Sequence, residues 1–205
     1  MTNTHELFSS FKPVLIDNIF TEEEIESIYK TRFEIAPNEI NAEGQNYVFS
    51  DPGCGYITSI YPFEYKIRTK IVETIQKYVP IPVKEDGNHM PRYTLESGDK
   101  PRLYPHYDVG MKSASFTLSA QLKNTKQWSL FVGGHEFDLK YNQGVIFSGS
   151  HQIHWRPKIE FDKSDYYDII VSQVYEDTEN PLLLDETHRE NMKAKADFYG
   201  NKFFT

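Results

Sequence analysis

Ile25, Ile28, Tyr29 and Phe33 recur at steps of three and four, the spacing that gives a helix one apolar face. Just before them stands Thr21-Glu22-Glu23-Glu24, in which Thr21 and Glu24 can satisfy each other's free backbone donors as a capping box. A second helix is expected from near Pro62, a residue tolerated at a first helical position. It carries Ile67, Ile71, Ile75 and Val79 at four-residue steps and is stopped by Pro80 and Pro82. Between the helices, 47–50 and 56–61 are short and suit strands. The texture then changes. From about 90 to 176, short runs rich in Tyr, Phe, Val, Ile and Thr alternate with turn signals.

The pattern predicts strands near 90–96, 102–109, 113–122, 128–132, 136–140, 144–149, 151–158 and 165–175. Gly133-Gly134 suits a tight hairpin turn between two of them. Strands at this spacing point to a sandwich or jelly roll. The fold class expected is mainly β with flanking α-helices, in one domain. Residues 1–84 form a helical flank with short strands, 85–176 the β core, and 177–205 a polar, weakly helical extension.

Composition narrows the setting. Hydrophobic residues make up 39% of the 205 residues and aromatics 15%, enough for a core. The formal charge of −8 argues against a nucleic-acid partner, whose phosphates call for a basic face. A single cysteine, Cys54, excludes an internal disulfide and suits a reducing compartment. Residues 1–20 lack a basic start followed by an apolar run, and no stretch has the length of a membrane span. A cytoplasmic protein without a membrane partner is expected.

The chemistry is concentrated in Pro105-His106-Tyr107-Asp108. Alternate side chains of a strand share a face, so His106 and Asp108 would point together and Tyr107 away. An imidazole and a carboxylate side by side make two ligands for one metal ion. The third is sought in Gly149-Ser150-His151-Gln152-Ile153-His154-Trp155-Arg156. His151 and His154, three apart, face opposite ways on a regular strand, so only one can serve. Two histidines and a carboxylate on one face of an octahedron leave positions open for other ligands, as in non-haem iron(II) sites.

In the order of these elements the chain resembles the 2-oxoglutarate-dependent oxygenases, and among them the prolyl 4-hydroxylase-like branch. The resemblance runs from about Pro91 to Tyr175. It rests on Arg92-Tyr93, Gly98, His106-x-Asp108, the apolar run Val145-Ile146-Phe147, Gly149-Ser150 and His154-Trp155-Arg156. It implies a double-stranded β-helix with the site inside one mouth of the barrel. His106, Asp108 and His154 would be both the iron(II) ligands and the catalytic centre. The cofactors implied are Fe(II), 2-oxoglutarate and O2, with a substrate hydroxylated while succinate and CO2 are released.

The far carboxylate of 2-oxoglutarate is normally held by a Lys or Arg on the last core strand, where this chain places Tyr166. Arg156 is the first replacement, because two residues beyond His154 it faces the same interior and its fork binds carboxylates. Lys163 and then Lys123 follow. Tyr93 stands where the family often has a tyrosine against the cosubstrate. Thr117, Ser119 and Gln121 share strand parity and are candidate pocket residues, and 49–56 and 110–115 are candidate substrate-facing loops. The partner expected is a prolyl peptide, an amino acid or another small molecule. Two other classes fit the residues: a cupin-type metalloprotein without 2-oxoglutarate, and a ligand-binding jelly roll without catalysis. Arg156 could also serve as an ion-pair partner of Asp162 or Asp165.

Overall fold

A computed structural model describes residues 4–51, 54–95, 101–108 and 113–204. Gly98 and parts of both candidate substrate-facing loops (52–53 and 110–112) lie outside the described residues. Among those described, two antiparallel sheets face each other. The larger contains β1 (Val14–Ile16), β2 (Val48–Asp51), β3 (Tyr56–Ser59), β4 (Val83–His89), β5 (Arg92–Tyr93), β7 (Ser115–Asn124), β10 (Gly144–Phe147) and β12 (Tyr167–Glu176). The smaller contains β6 (Leu103–His106), β8 (Leu130–Val132), β9 (His135–Phe137) and β11 (His154–Arg156), in the order β6-β11-β8-β9.

All eight strands expected after residue 90 are present. The hairpin at Gly133-Gly134 joins β8 to β9 with φ of 57° and 89°, two left-handed residues in a row that favour glycine. The capping box also forms: Thr21 Oγ1 accepts from the Glu24 N–H at 3.2 Å, and Glu24 Oε2 accepts from the Thr21 N–H at 2.8 Å. It opens α2 (Glu22–Lys30), which runs into a π-helical turn over Thr31–Ile35. The second helix, α3 (Tyr65–Gln76), starts three residues after Pro62.

The first 84 residues contribute more to the barrel than helices. A short helix, α1 (Thr4–Ser10), precedes β1, and β1 pairs with β10. β4 starts at Val83 and pairs with β12 from Glu176 to Val171. The strand expectation missed β4 because Lys84-Glu85-Asp86-Gly87-Asn88 is polar, as suits a strand with one open edge.

Each sheet has two differently dressed faces. Ile25, Ile28, Ile67, Ile71 and Ile75 of α2 and α3 cover the outer face of the large sheet, against Leu118, Ala120, Leu122, Ile170 and Val174. Behind the small sheet lies α4 (Glu186–Phe203), capped by Asp185, whose side chain accepts from the His188 N–H at 2.7 Å. Its Met192 packs on Ile153 and Trp155, and its Tyr199 stacks on Trp155 at 4.6 Å. Period-2 alternation therefore turns Trp155 outward, under α4, and leaves His154 and Arg156 to face the space between the sheets. No described helix is long and apolar enough to cross a membrane.

One buried charge pair ties the strands to the helices. Asp168 is fully buried and takes both Arg92 Nε and Nη2 at 2.7 Å, while Tyr29 Oη donates to it at 2.7 Å. Phe33 and Tyr166 lie against the Arg92 guanidinium at 4.2 and 4.7 Å. Removing one partner strands the other charge. Asp168→Ala is expected to lower unfolding stability by roughly 3 kcal/mol, measured by urea denaturation; a loss under about 0.5 kcal/mol, the scale of an ordinary surface substitution, would show that the pair is dispensable.

Candidate active site between the sheets

His106 ends β6 and His154 begins β11, and the two are direct partners in the antiparallel ladder. Paired strands hold opposite residues about 5 Å apart, so the ladder itself brings two imidazoles together, with ring centroids at 4.1 Å. Asp108 follows two residues after His106, its N–H donating to the Gly149 carbonyl at 2.9 Å. Its Oδ1 lies 3.4 Å from His154 Nε2 and 3.8 Å from His106 Nε2. One ligand atom from each of the three residues falls within 4.8 Å of the others, the only such grouping of His, Cys, Asp and Glu among the described residues.

Neighbouring groups orient all three. His106 Nδ1–H donates to the Tyr104 carbonyl at 2.8 Å, and His154 Nδ1–H to the Gln152 carbonyl at 3.1 Å. Each bond fixes the tautomer that leaves Nε2 bare, the arrangement that suits a metal ligand. Thr117 Oγ1 donates to Asp108 Oδ2, which leaves Oδ1 for the centre. Burial alone would raise the Asp108 carboxyl, but His154, His106 and the Thr117 hydroxyl hold it well below the usual carboxylate range. Burial of its inner side, beside His154, pushes His106 below the usual imidazole range. A carboxylate and two imidazoles whose Nε2 atoms face it are the donor set of a divalent metal site.

Gly149 explains the Gly-Ser of the sequence. A Cβ there would overlap Thr117 Oγ1 and the Asp108 carboxylate. His151, the competing third ligand, lies tilted against His188 with ring centroids 4.2 Å apart and shares a hydrogen bond at Nδ1 with Ser150 Oγ at 2.9 Å, so it belongs to the outer layer.

The same cavity holds Arg156 and Tyr93, with apolar walls from Leu103, Leu130, Phe147, Ile169 and Val171. Arg156 is fully buried. Its Nη1 donates to the Trp128 carbonyl at 2.5 Å and to Tyr167 Oη at 3.2 Å, while Nε and Nη2 have no partner. The suggested ion pair to Asp162 or Asp165 is absent, because Asp165 is taken by Lys126 at 2.8 Å. A buried guanidinium with two unsatisfied nitrogens is costly by itself and calls for an anion.

The other anchors expected do not reach the cavity. Lys163 is exposed in the turn before β12, and Lys123 is exposed with Nζ over the Tyr29 ring at 4.7 Å. Neither lines the cavity. Tyr166 packs on Arg92, outside it; the tyrosine directed inward is Tyr167, whose hydroxyl donates to Gln121 Oε1 at 2.5 Å. Ile169, Ile170 and Val171 are apolar on both parities, so alternation could not single out Tyr167. Thr117 and Ser119 line the cavity, whereas Gln121 only supports it through Tyr167. His89 also lines it and went unmarked, because β4 carried no strand signal.

No protein-family model matches the chain, and no curated protein matches it in sequence. Solved structures do match in fold. One is the viral collagen prolyl hydroxylase vCPH from Paramecium Bursaria Chlorella virus-1, in complex with 2-oxoglutarate. It aligns at a TM-score of 0.56 with 14% identity, over 82% of this chain and 97% of that one. A second is HygX from Streptomyces hygroscopicus with nickel, 2-oxoglutarate and hygromycin B bound, at 0.55 and 11%, over 94% and 99%. A third is the non-heme alpha-ketoglutarate-dependent epimerase SnoN from nogalamycin biosynthesis, at 0.59 and 9%, over 81% and 78%. The chain therefore has the jelly-roll fold of the 2-oxoglutarate oxygenases, the double-stranded β-helix.

If Gly149 exists to make room for the Asp108–Thr117 contact, Gly149→Ala must displace the carboxylate. Metal affinity is expected to fall at least about tenfold, as for the loss of orienting contacts around a metal site. Titration with Zn(II) against a competing chelator reads it; an unchanged affinity would mean the carboxylate is not held from this side.

Proposed function

We propose that the protein is an iron(II)- and 2-oxoglutarate-dependent oxygenase that hydroxylates a prolyl peptide, an amino acid or another small polar substrate. One observation carries the reading: two imidazoles and a carboxylate converge in the same cavity as a buried arginine with two unpartnered guanidinium nitrogens. The metal ligands would be His106, Asp108 and His154. The arginine would hold the far carboxylate of the cosubstrate. Fold neighbours with 2-oxoglutarate bound support the same assignment by analogy.

Iron(II), when bound, supplies the redox chemistry by which O2 is split between the decarboxylation of 2-oxoglutarate to succinate and the hydroxylation of substrate. The protein's own part is positioning and exclusion of water. The carbonyls of Tyr104 and Gln152 fix both rings with Nε2 aimed at the centre. Thr117 holds the carboxylate so that one oxygen faces the imidazoles. Arg156 is pinned by Trp128 and Tyr167, so its free edge is set before any ligand arrives and little entropy is lost on binding. Its Nε and Nη2 form the fork that pairs with a carboxylate in two parallel bonds. Tyr93, edge-on to Trp128 at 4.8 Å and to Tyr56 at 5.3 Å, walls the cosubstrate side. Leu130, Phe147, Ile169 and Val171 keep the interior dry, which strengthens the charged contacts.

Two experiments test this. The iron-loaded protein supplied with 2-oxoglutarate and air is expected to release succinate slowly even without substrate, and Asp108→Ala to fall to the metal-free background. Absence of iron-dependent succinate from the wild type, or its persistence in Asp108→Ala, would contradict the reading. Arg156→Gln is expected to weaken 2-oxoglutarate binding by at least about tenfold, about 1.4 kcal/mol, without lowering the ligand-free melting temperature, because it removes a buried unsatisfied charge. Thermal shift with and without 2-oxoglutarate measures both. An equal ligand-induced shift in wild type and variant would move the anchor elsewhere.

A further inference from the structure

Beside the cavity, on the same two strands, the large sheet carries a second recess that the proposed chemistry does not use. The cavity and this surface pocket share His89. The register pairs Val171 with His89 and Gln173 with Gly87. Val171 lies in the cavity wall, and Gln173 and Gly87 line the pocket. Leading away from the metal ligands, β12 and β4 thus present first an imidazole and then a primary amide. Neither His89 nor Gln173 has a hydrogen-bonding side-chain partner among the described residues, whereas Thr117 is engaged by Asp108, and Arg156 in part by Trp128 and Tyr167. Gly87 leaves the floor open, since a Cβ built there would meet nothing within 4 Å.

The charges along this path are one-sided. Arg156 is the one lysine or arginine among the described residues lining the cavity, and none lines the pocket. The carboxylate in the pocket, Glu85, faces Arg68 at 3.3 Å and accepts from Asn88 Nδ2 at 2.5 Å, so it is already satisfied. A substrate carboxylate or phosphate would meet Glu85 and, among the described residues, no spare cation, within a chain of net charge −8. An amide, hydroxyl or ammonium would find two unpartnered neutral groups that both donate and accept.

We propose that the substrate lies along β12 and β4, held by His89 and Gln173, and that it is a polar molecule uncharged or cationic at the end bound there, such as a peptide segment or an amine-bearing compound, and not a free acid. The inference rests on the proposed function for which end of the path is reactive, and it narrows the substrate class. His89 and Gln173 are specificity-determining residues in this account.

The test uses matched fragments, each carboxylate beside its own amide and its own amine, for example N-acetylproline beside N-acetylprolinamide. Saturation-transfer NMR reads their binding to the full chain loaded with zinc and 2-oxoglutarate. Amides and amines are expected to bind, and their acids to bind at least about tenfold more weakly. Gly87→Leu, which fills open space on an extended strand, is expected to abolish fragment binding while zinc and 2-oxoglutarate affinity stay unchanged. His89→Ala is expected to weaken binding by about tenfold, as for one buried hydrogen bond, and His89→Gln to recover part of it. Acids that bind as well as their amides, a set in which nothing binds, or binding untouched by Gly87→Leu would each overturn the proposal. Failure of the wild type to bind 2-oxoglutarate would instead count against the proposed function, and the fragment preference is read separately from it.

Discussion

The pairing of His106 with His154 across β6 and β11 is the contact on which the rest of the site depends. It is a backbone constraint before it is a chemical one. Antiparallel hydrogen bonding holds the two Cα atoms close, and alternation then decides what each strand shows to each side. On β11 it sends His154 and Arg156 inward and Trp155 outward under α4. A shift of one residue would bury an indole where the metal ligands stand and expose an imidazole and a guanidinium to the aromatic layer behind. The Trp155–Tyr199–Phe203 stack therefore guards the register of the site from the far side.

Around that pairing the two buried carboxylates are both satisfied. Asp108 is satisfied by Thr117 and by the imidazoles, and the second buried carboxylate, Asp168, by Arg92 and Tyr29. The two carboxylates lie on opposite sides of the large sheet, one serving the cavity and the other clamping the helices. Arg156 breaks the rule: it is more deeply buried than either imidazole and only partly bonded. A fold tolerates such a group where a ligand completes it. Arg156 thus calls for an anion at one end of the cavity, while the recess past His89, where the proposed substrate end lies, has no spare cation among the described residues.

Much of this was legible in the sequence, and what was not has physical causes. The helices announced themselves through Thr21–Glu24 and the isoleucine spacing, and the core strands through alternation and the Gly133-Gly134 turn. The approach of His106, Asp108 and His154 could be anticipated from the His-x-Asp spacing and the resemblance, although Asp108 lies just past the end of β6. Arg156 followed from parity alone. Long-range pairing could not be read: β4 is polar because its outer edge is open, so nothing in the pattern marked His89. Tyr166 and Tyr167 are neighbours of the same type, and only the register of β12 against β7 decides which faces inward. Gly149 had a motif to mark it, yet its reason, the Asp108–Thr117 contact, exists only in three dimensions.

If the triad and Arg156 together hold one chelating keto acid at an iron site, its absorption reports it. The most direct measurement is the visible absorption spectrum of the iron(II) protein without oxygen, before and after 2-oxoglutarate is added. A weak charge-transfer band is expected that grows with the keto acid to one equivalent and is absent with succinate, which has no keto oxygen to chelate. Iron bound tightly with no band on adding 2-oxoglutarate would contradict it, and would leave a cupin-type metal site with a different anion against Arg156.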